Sequence, residues 1–321
     1  MNDIKLSKLD LDKLDEDLFT PLDSSEKNLN VNVRPSVGYW KDAWRRLKSN
    51  KVALISLIII ILFILGSILV PSLSKFSYEQ NNLELANMKS SAEHWFGTDQ
   101  LGRDIFVRAF YGARYSLIIG FAAAFINLII GIIYGGISGF VGGKVDNFMM
   151  RIVDVLYSIP LTIYVIIFMA AFNQPGSGKS GLSTIVLALC ISYWINMARI
   201  VRGEVLQLKQ QEFVLAARAL GASGSRILFR HLIPNCIGSI IVTMTLLIPQ
   251  AIFTEAFLSF IGLGINPPLA SLGTLANDAQ KVLTVYPYQL LFPALMICLI
   301  ILAFNLFGDG LSEALDPKNK K

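Results

Sequence analysis

The chain reads as an all-α integral membrane protein with six transmembrane helices. Of its 321 residues 54% are hydrophobic and only 16% are charged, against about 25% charged in an ordinary soluble domain. The apolar residues come in long uninterrupted blocks, and the charges sit between the blocks. Each block is long enough for lipid, since a bilayer core about 30 Å thick is crossed by about 20 residues of helix.

The blocks are residues 52–70, 115–138, 148–172, 182–198, 236–260 and 290–307. Each is expected to be helical, because a lone segment in hydrocarbon can satisfy its backbone N–H and C=O groups only within itself. Gly131, Pro160 and Pro249 do not remove these assignments, since packed membrane helices tolerate both residue types. The first block lies too deep in the chain, and is too long, for a cleaved signal peptide. The chain then divides into a tail with an interfacial segment (1–50), a first helix with an external segment (51–113), the main transmembrane domain (114–309) and a short tail (310–321).

The first 33 residues are polar and acidic, and Leu11, Leu14 and Leu18 at helical spacing leave room for a short amphipathic helix in an otherwise disordered tail. Trp40 and Trp44 among basic residues suit a helix lying in the inner interface. Lys and Arg set the orientation. Arg34, Lys41, Arg45, Arg46, Lys48 and Lys51 precede the first helix, and Arg199, Arg202, Lys209, Arg218, Arg226 and Arg230 fill the loop after the fourth. The positive-inside rule puts both termini and loop 199–235 in the cytoplasm of a cell-membrane protein. The net charge of +5 is a topology signal beside membrane lipid and needs no nucleic acid.

The external segment between the first two helices contains Asp99, Arg103 and Asp104, which can form a charge cluster clamping the second helix. Gly176-Ser177-Gly178-Lys179-Ser180 imitates the end of a phosphate-binding loop, but Asn173 stands where the pattern requires its first glycine. It is read as a flexible turn. His94 and His231 are the only histidines and fall on opposite sides of the membrane, so they build neither a metal site nor a catalytic triad. Cys190, Cys236 and Cys298 lie in or beside apolar blocks and are read as small hydrophobes.

Charges at membrane depth are costly and point to function by default. Arg151 and Asp154 share a face of the third helix and are expected to pair with each other. Glu255 in the outer part of the fifth helix and Asp309 at the inner end of the sixth are expected to reach the interface. No ionisable residues are strung across the middle of the helices, as a proton relay would need.

The most informative stretch is the loop 199–235. Residues 212–220 are mostly good helix formers, and Gly221 suits the left-handed residue that ends a helix. Ser223 or Ser225 can cap a second helix, which Pro234 helps to stop. Ala216, Ala217 and Ala219 keep the first helix slim enough to enter a groove on another protein, with Phe213, Arg218 and Leu220 as anchors. An amphipathic loop resting on the membrane surface explains the same residues equally well.

Resemblance separates the two. Glu212, Ala216, Ala217, Gly221 and Leu232-Ile233-Pro234 match the EAA coupling motif of ABC-importer permeases. The chain around it resembles the OppC/DppC family of oligopeptide and dipeptide importers. The matches are Phe96-Gly97-Thr98-Asp99 with Gly102-Arg103-Asp104; Met150-Arg151 with Asp154 and Ile159-Pro160; Leu258 to Gly264 with Pro267-Pro268; and Phe304-Asn305-Leu306-Phe307-Gly308-Asp309 with Leu315-Asp316-Pro317. Ser271-Leu272-Gly273 and Tyr286-Pro287-Tyr288 depart from the family pattern, in the external loop before the sixth helix.

The resemblance implies a type I ABC importer permease fold and a heteromeric complex. The partners would be a second, OppB-like permease, two cytoplasmic ATPases and an extracytoplasmic peptide-binding protein. ATP and Mg would be used by the ATPases, and this chain would bind no cofactor, hold no metal and catalyse nothing. Residues 212–221 would contact an ATPase. Asp99, Arg103, Asp104, Arg151, Asp154, Glu255, Asn305 and Asp309 would be structural or gating positions. Competing readings are a related importer for nickel or another small solute, a secondary transporter or channel, and a non-transporting scaffold.

Overall fold

A computed structural model of the chain describes residues 38–172, 181–266 and 269–316. The possible helix at 11–18, the turn at 176–180 and Pro267, Pro268 and Pro317 lie outside the described residues. The chain divides into two units, Met1–Lys41 and Asp42–Lys321, and nearly everything described belongs to the second.

Helix α1 (Tyr39–Ser49) buries Ala43 and Leu47, while Asp42 binds both Arg45 and Arg46. Asn50 then caps α2 (Lys51–Leu73) by accepting the Ala53 N–H at 3.1 Å. Only Ala53, Ser56, Ile60 and Ser67 of α2 are buried, one stripe at helical spacing; Ile59, Phe63 and Ile64 are half-buried beside it, and Val52, Ile55, Ile58, Leu62, Leu65 and Leu69 are exposed. Such a helix faces protein on one side and lipid on the others.

Asp104 starts α3 (Ile105–Val141), its carboxylate accepting the Val107 N–H at 2.8 Å. The helix therefore begins well outside the apolar block at 115–138. Its first turns carry Arg108 and Arg114, which hide the helix from a search for hydrophobic runs. Gly142 and Gly143, at φ +73 and +59, turn the chain into α4 (Gly143–Ser158).

The third block is not one straight helix. α4 and α5 (Leu161–Phe172) meet at a bend of 79°. The residue before a proline is pushed out of the helical region, and Ile159, before Pro160, is extended at φ −87, ψ 122. Among the described residues five helices are long and apolar enough to cross a membrane, and the bent pair makes up to six spans.

α6 (Leu182–Leu208) packs along α3 more closely than ordinary side chains permit. Gly131, Gly135 and Gly139 recur every four residues and meet Met197, Ala198 and Arg202 of α6. A Cβ at Gly139 would stand 2.7 Å from the Arg202 carbonyl oxygen. Without a hydrophobic drive between helices in lipid, such close van der Waals approach holds them together.

The chain continues through α7 (Glu212–Ala219), α8 (Gly224–Ile227), a π turn at Leu228–Leu232 and α9 (Ile233–Asn235) into α10 (Ile237–Phe260). A short α11 (Leu272–Gln280) and the long α12 (Tyr288–Leu315) complete it. Ile119 and Ala123 of α3, Ile185 and Leu189 of α6, Ile248 and Ile252 of α10 and Ile300 of α12 form the main apolar core.

Candidate functional site

Helix α7 stands between the two long helices α6 and α10 and ends as its sequence foretells. Gly221 has φ +77; its N–H donates to the Arg218 carbonyl at 2.9 Å, and the Ala222 N–H to the Ala217 carbonyl at 3.0 Å. This pair of bonds is the Schellman closure that a left-handed glycine makes possible. Ser223, rather than Ser225, caps α8. The helix does not stop at Pro234: a π turn and α9 carry the chain past it, with the break falling at Cys236.

One face of α7 is anchored. Val214 is fully buried and joins Met197, Val201, Val205, Ile227, Leu228, Leu232 and Ile240 in a single cluster. Ala217 is half-buried against this cluster, on the side of α7 that faces the long helices. It lies three residues after Val214 and therefore on the same side of the helix. Glu212, Phe213, Leu215, Ala216, Arg218 and Leu220 are exposed, Leu220 to 88%. Large apolar side chains left outward on a short polar-flanked helix are a surface that another protein can cover.

Beside this anchored body lies an ion-paired corner that the sequence reading passed over. Arg202 of α6 grips Asp146 of α4 with two bonds, Nε to Oδ1 at 2.5 Å and Nη2 to Oδ2 at 2.6 Å. Ser138 of α3 donates to the same carboxylate at 2.5 Å. Lys209 donates to the Gly139 and Phe140 carbonyls at 2.9 and 3.3 Å. Asp146 escaped notice because it lies just before the apolar block at 148–172, and Arg202 because it had served only as an orientation signal. An acidic residue three positions after a Gly-Gly turn was the available clue.

Arg151 and Asp154 do not pair. Asp154 binds Arg199 of α6 at 2.9 Å, and Arg151 is exposed. A partner on a neighbouring helix won over one on the same helix face. Arg199 also lies over the Tyr157 ring, 4.7 Å from its centroid. The Tyr134 hydroxyl donates to the Met149 carbonyl at 2.8 Å, so α4 is tied to α3 and α6 along its length.

The segment between α2 and α3 is built from two separate groups of charges rather than one cluster. Asp99 accepts Arg103 Nε at 2.7 Å and lies 3.5 Å from Arg108 Nε. Asp104 belongs elsewhere: besides capping α3 it meets His94 Nδ1 at 2.7 Å, with both side chains buried. The segment is fastened to α12 by Gln289, which donates to Asn87 Oδ1 at 2.8 Å and to the Thr98 carbonyl at 3.1 Å. Tyr78 stacks on Tyr111, and its hydroxyl donates to Glu79 at 2.5 Å, a bond that raises the phenol above its ordinary pKa.

Glu255 does not reach the surface of the chain. It is fully buried, accepting Ser116 Oγ of α3 and Ser259 Oγ of α10, each at 2.7 Å. Ser271, the cap of α11, also interacts with it. This carboxyl joins three elements, α3, α10 and α11. Asn305 and Asp309 of α12 are exposed. Among the described residues no group of three or more His, Cys, Asp or Glu is arranged to hold a metal ion.

The chain has clear relatives. Residues 128–321 match the family of binding-protein-dependent transport system inner membrane components, and residues 38–90 match the N-terminal TM domain of oligopeptide transport permease C. It is 51% identical to the oligopeptide transport system permease protein OppC of Bacillus subtilis (strain 168), over 97% of this chain and 100% of the relative. Identity to the dipeptide transport system permease protein DppC of the same organism is 48%, over 93% of this chain and 92% of the relative. OppC of Escherichia coli (strain K12) is 42% identical, over 93% and 97%. Among solved structures, the inward-facing MetNI methionine ABC transporter matches with a TM-score of 0.52 at 19% identity. That match covers 65% of this chain and 96% of the other, and shows a shared fold.

Proposed function

Because this chain belongs to the binding-protein-dependent transport system inner membrane components, and within them to the OppC/DppC permeases, we propose that it forms half of the pathway of an ATP-driven importer of oligopeptides or dipeptides. The peptide class follows the relatives, which are named as oligopeptide and dipeptide permeases, in preference to nickel or another small solute. A second permease would complete the pathway, an extracytoplasmic binding protein would deliver the peptide, and two ATPases using ATP and Mg would dock on the side that carries α7. Both termini and loop 199–235 lie in the cytoplasm in this reading, because the basic residues concentrate there.

The observation that carries the coupling role is the two-sided character of α7. Val214 roots it in the body shared by α6 and α10, while Phe213, Leu215 and Leu220 stand outside with nothing over them. A helix so mounted passes a push on its outer face to two membrane helices at once. Closure of the ATPase pair would then move α7 as a rigid element, and the attached helices would switch between two packings. The drive comes from the different affinities of the ATPases for ATP and for its products.

Burying a side chain such as that of Leu220 contributes about 2 kcal/mol, or roughly thirtyfold in affinity. Phe213→Ala with Leu220→Ala should therefore release the ATPases from the purified complex, or leave hydrolysis without uptake. If the double variant keeps its ATPases and transports peptide at the parental rate, α7 is not the contact.

A further inference from the structure

The corner at Asp146 does more than hold two helices together: we infer that the Asp146–Arg202 pair makes α4 travel with α7, so that the bent α4–α5 span is moved by the same push. This rests on the coupling reading above. Its physical basis is the number and direction of the bonds at one place. Arg202 lies on the last turns of α6, ahead of Lys209 and the start of α7 at Glu212. Val201 and Val205, on either side of Arg202, are fully buried in the cluster that roots α7 through Val214. The Arg202 fork is consequently part of the α7 body.

On the other side of the fork, Asp146 sits in the first turn of α4, directly after the Gly142-Gly143 turn. A two-glycine turn restricts the chain least of all, so the α3–α4 corner needs an outside hold to move as one piece. It has several on the same body. Arg202 binds the Asp146 carboxylate, Lys209 binds the Gly139 and Phe140 carbonyls, and Phe140 packs on Gly224 of α8. A planar guanidinium bound through two parallel bonds fixes orientation as well as distance, which a single lysine contact would not. Further along α4, the Asp154–Arg199 pair acts on the same α6 surface, but both of its side chains are more exposed than Asp146. The Asp146 pair is the tighter link. Asp146 is thus a positioning residue, acting through Arg202.

The test uses the whole complex with its second permease, ATPases and binding protein in proteoliposomes. Changes along a coupling network alter coupling by between about twofold and about thirtyfold. Asp146→Asn should lower peptide uptake per ATP hydrolysed within that range while the ATPases remain bound. Arg202→Lys, which keeps the charge and loses the fork, should act in the same direction and serves if the first variant assembles badly. Exchanging the charges, Asp146→Arg with Arg202→Asp, should recover coupling over either single change. In a Cys298→Ser background, spin labels at Phe148→Cys on α4 and Ser225→Cys on α8 should keep one separation with and without ATP and Mg. The same labels combined with Asp146→Asn should show that separation change. Parental uptake per ATP in Asp146→Asn, no recovery by the exchange, or a label separation that shifts in the otherwise unaltered protein would each overturn the inference. If instead the Phe213/Leu220 variant keeps ATPases and transport, the coupling reading itself has failed, whatever Asp146 does.

Discussion

Replacing Gly221 isolates one backbone angle from everything else. Its φ is +77, and an added Cβ would meet nothing within 4 Å. No substitution there suffers from crowding, so any loss must come from the conformation. An L-residue in the left-handed region costs about 1–2 kcal/mol, with β-branched residues at the upper end and asparagine well below it. Escaping that strain means giving up the bonds from Gly221 to Arg218 and from Ala222 to Ala217, and with them the junction between α7 and α8. A cost of about 2 kcal/mol shifts that local equilibrium by a factor of roughly 30. Gly221→Val should therefore leave a protein that inserts and assembles but takes up labelled peptide poorly per ATP hydrolysed. Gly221→Ala should be intermediate and Gly221→Asn close to the parent. Reconstituted complexes with uptake and hydrolysis measured side by side give that ratio directly. Equal performance of valine and glycine, or asparagine as poor as valine, would show that the positive φ at this turn is not what the function requires.

The remaining predictions concern orientation in the membrane and the buried Glu255. Cysteine at Ser90 should react with an impermeant thiol reagent added to intact cells, whereas cysteine at Ser223 should not; the opposite pattern would invert the proposed orientation and remove α7 from the ATPases. Glu255→Ala leaves Ser116 and Ser259 without their acceptor and opens a cavity, so the protein should lose about 2–4 kcal/mol of stability, read as a lower melting temperature in detergent. Glu255→Gln keeps an acceptor oxygen and should lose less, and equal losses would mean that the bonds from Ser116 and Ser259 do not stabilise the fold.

Much of this protein was legible in its residues because membrane insertion and helix ending are governed by local rules. Hydrocarbon demands long apolar helices, and the blocks mark where they lie. The turn at Gly221 depends on one residue's freedom at positive φ, and it stands where the sequence placed it. The cap at Ser223 obeys the same short-range logic. What eluded the sequence was every choice between partners distant along the chain. Asp154 had Arg151 three residues away, yet it binds Arg199; Asp104 stood beside Arg103, yet it binds His94. Asp146 and Arg202, separated by the whole α4–α5 span, had no reason to be considered together. Which side of α7 carries Ala217 inward was likewise settled by where α6, α8 and α10 happen to converge on Val214. Local sequence dictates conformation because it acts through bonds and nearest neighbours. Pairing is decided by packing, because a charge takes the best partner that the assembled helices bring within about 4 Å, at whatever distance along the chain that partner lies.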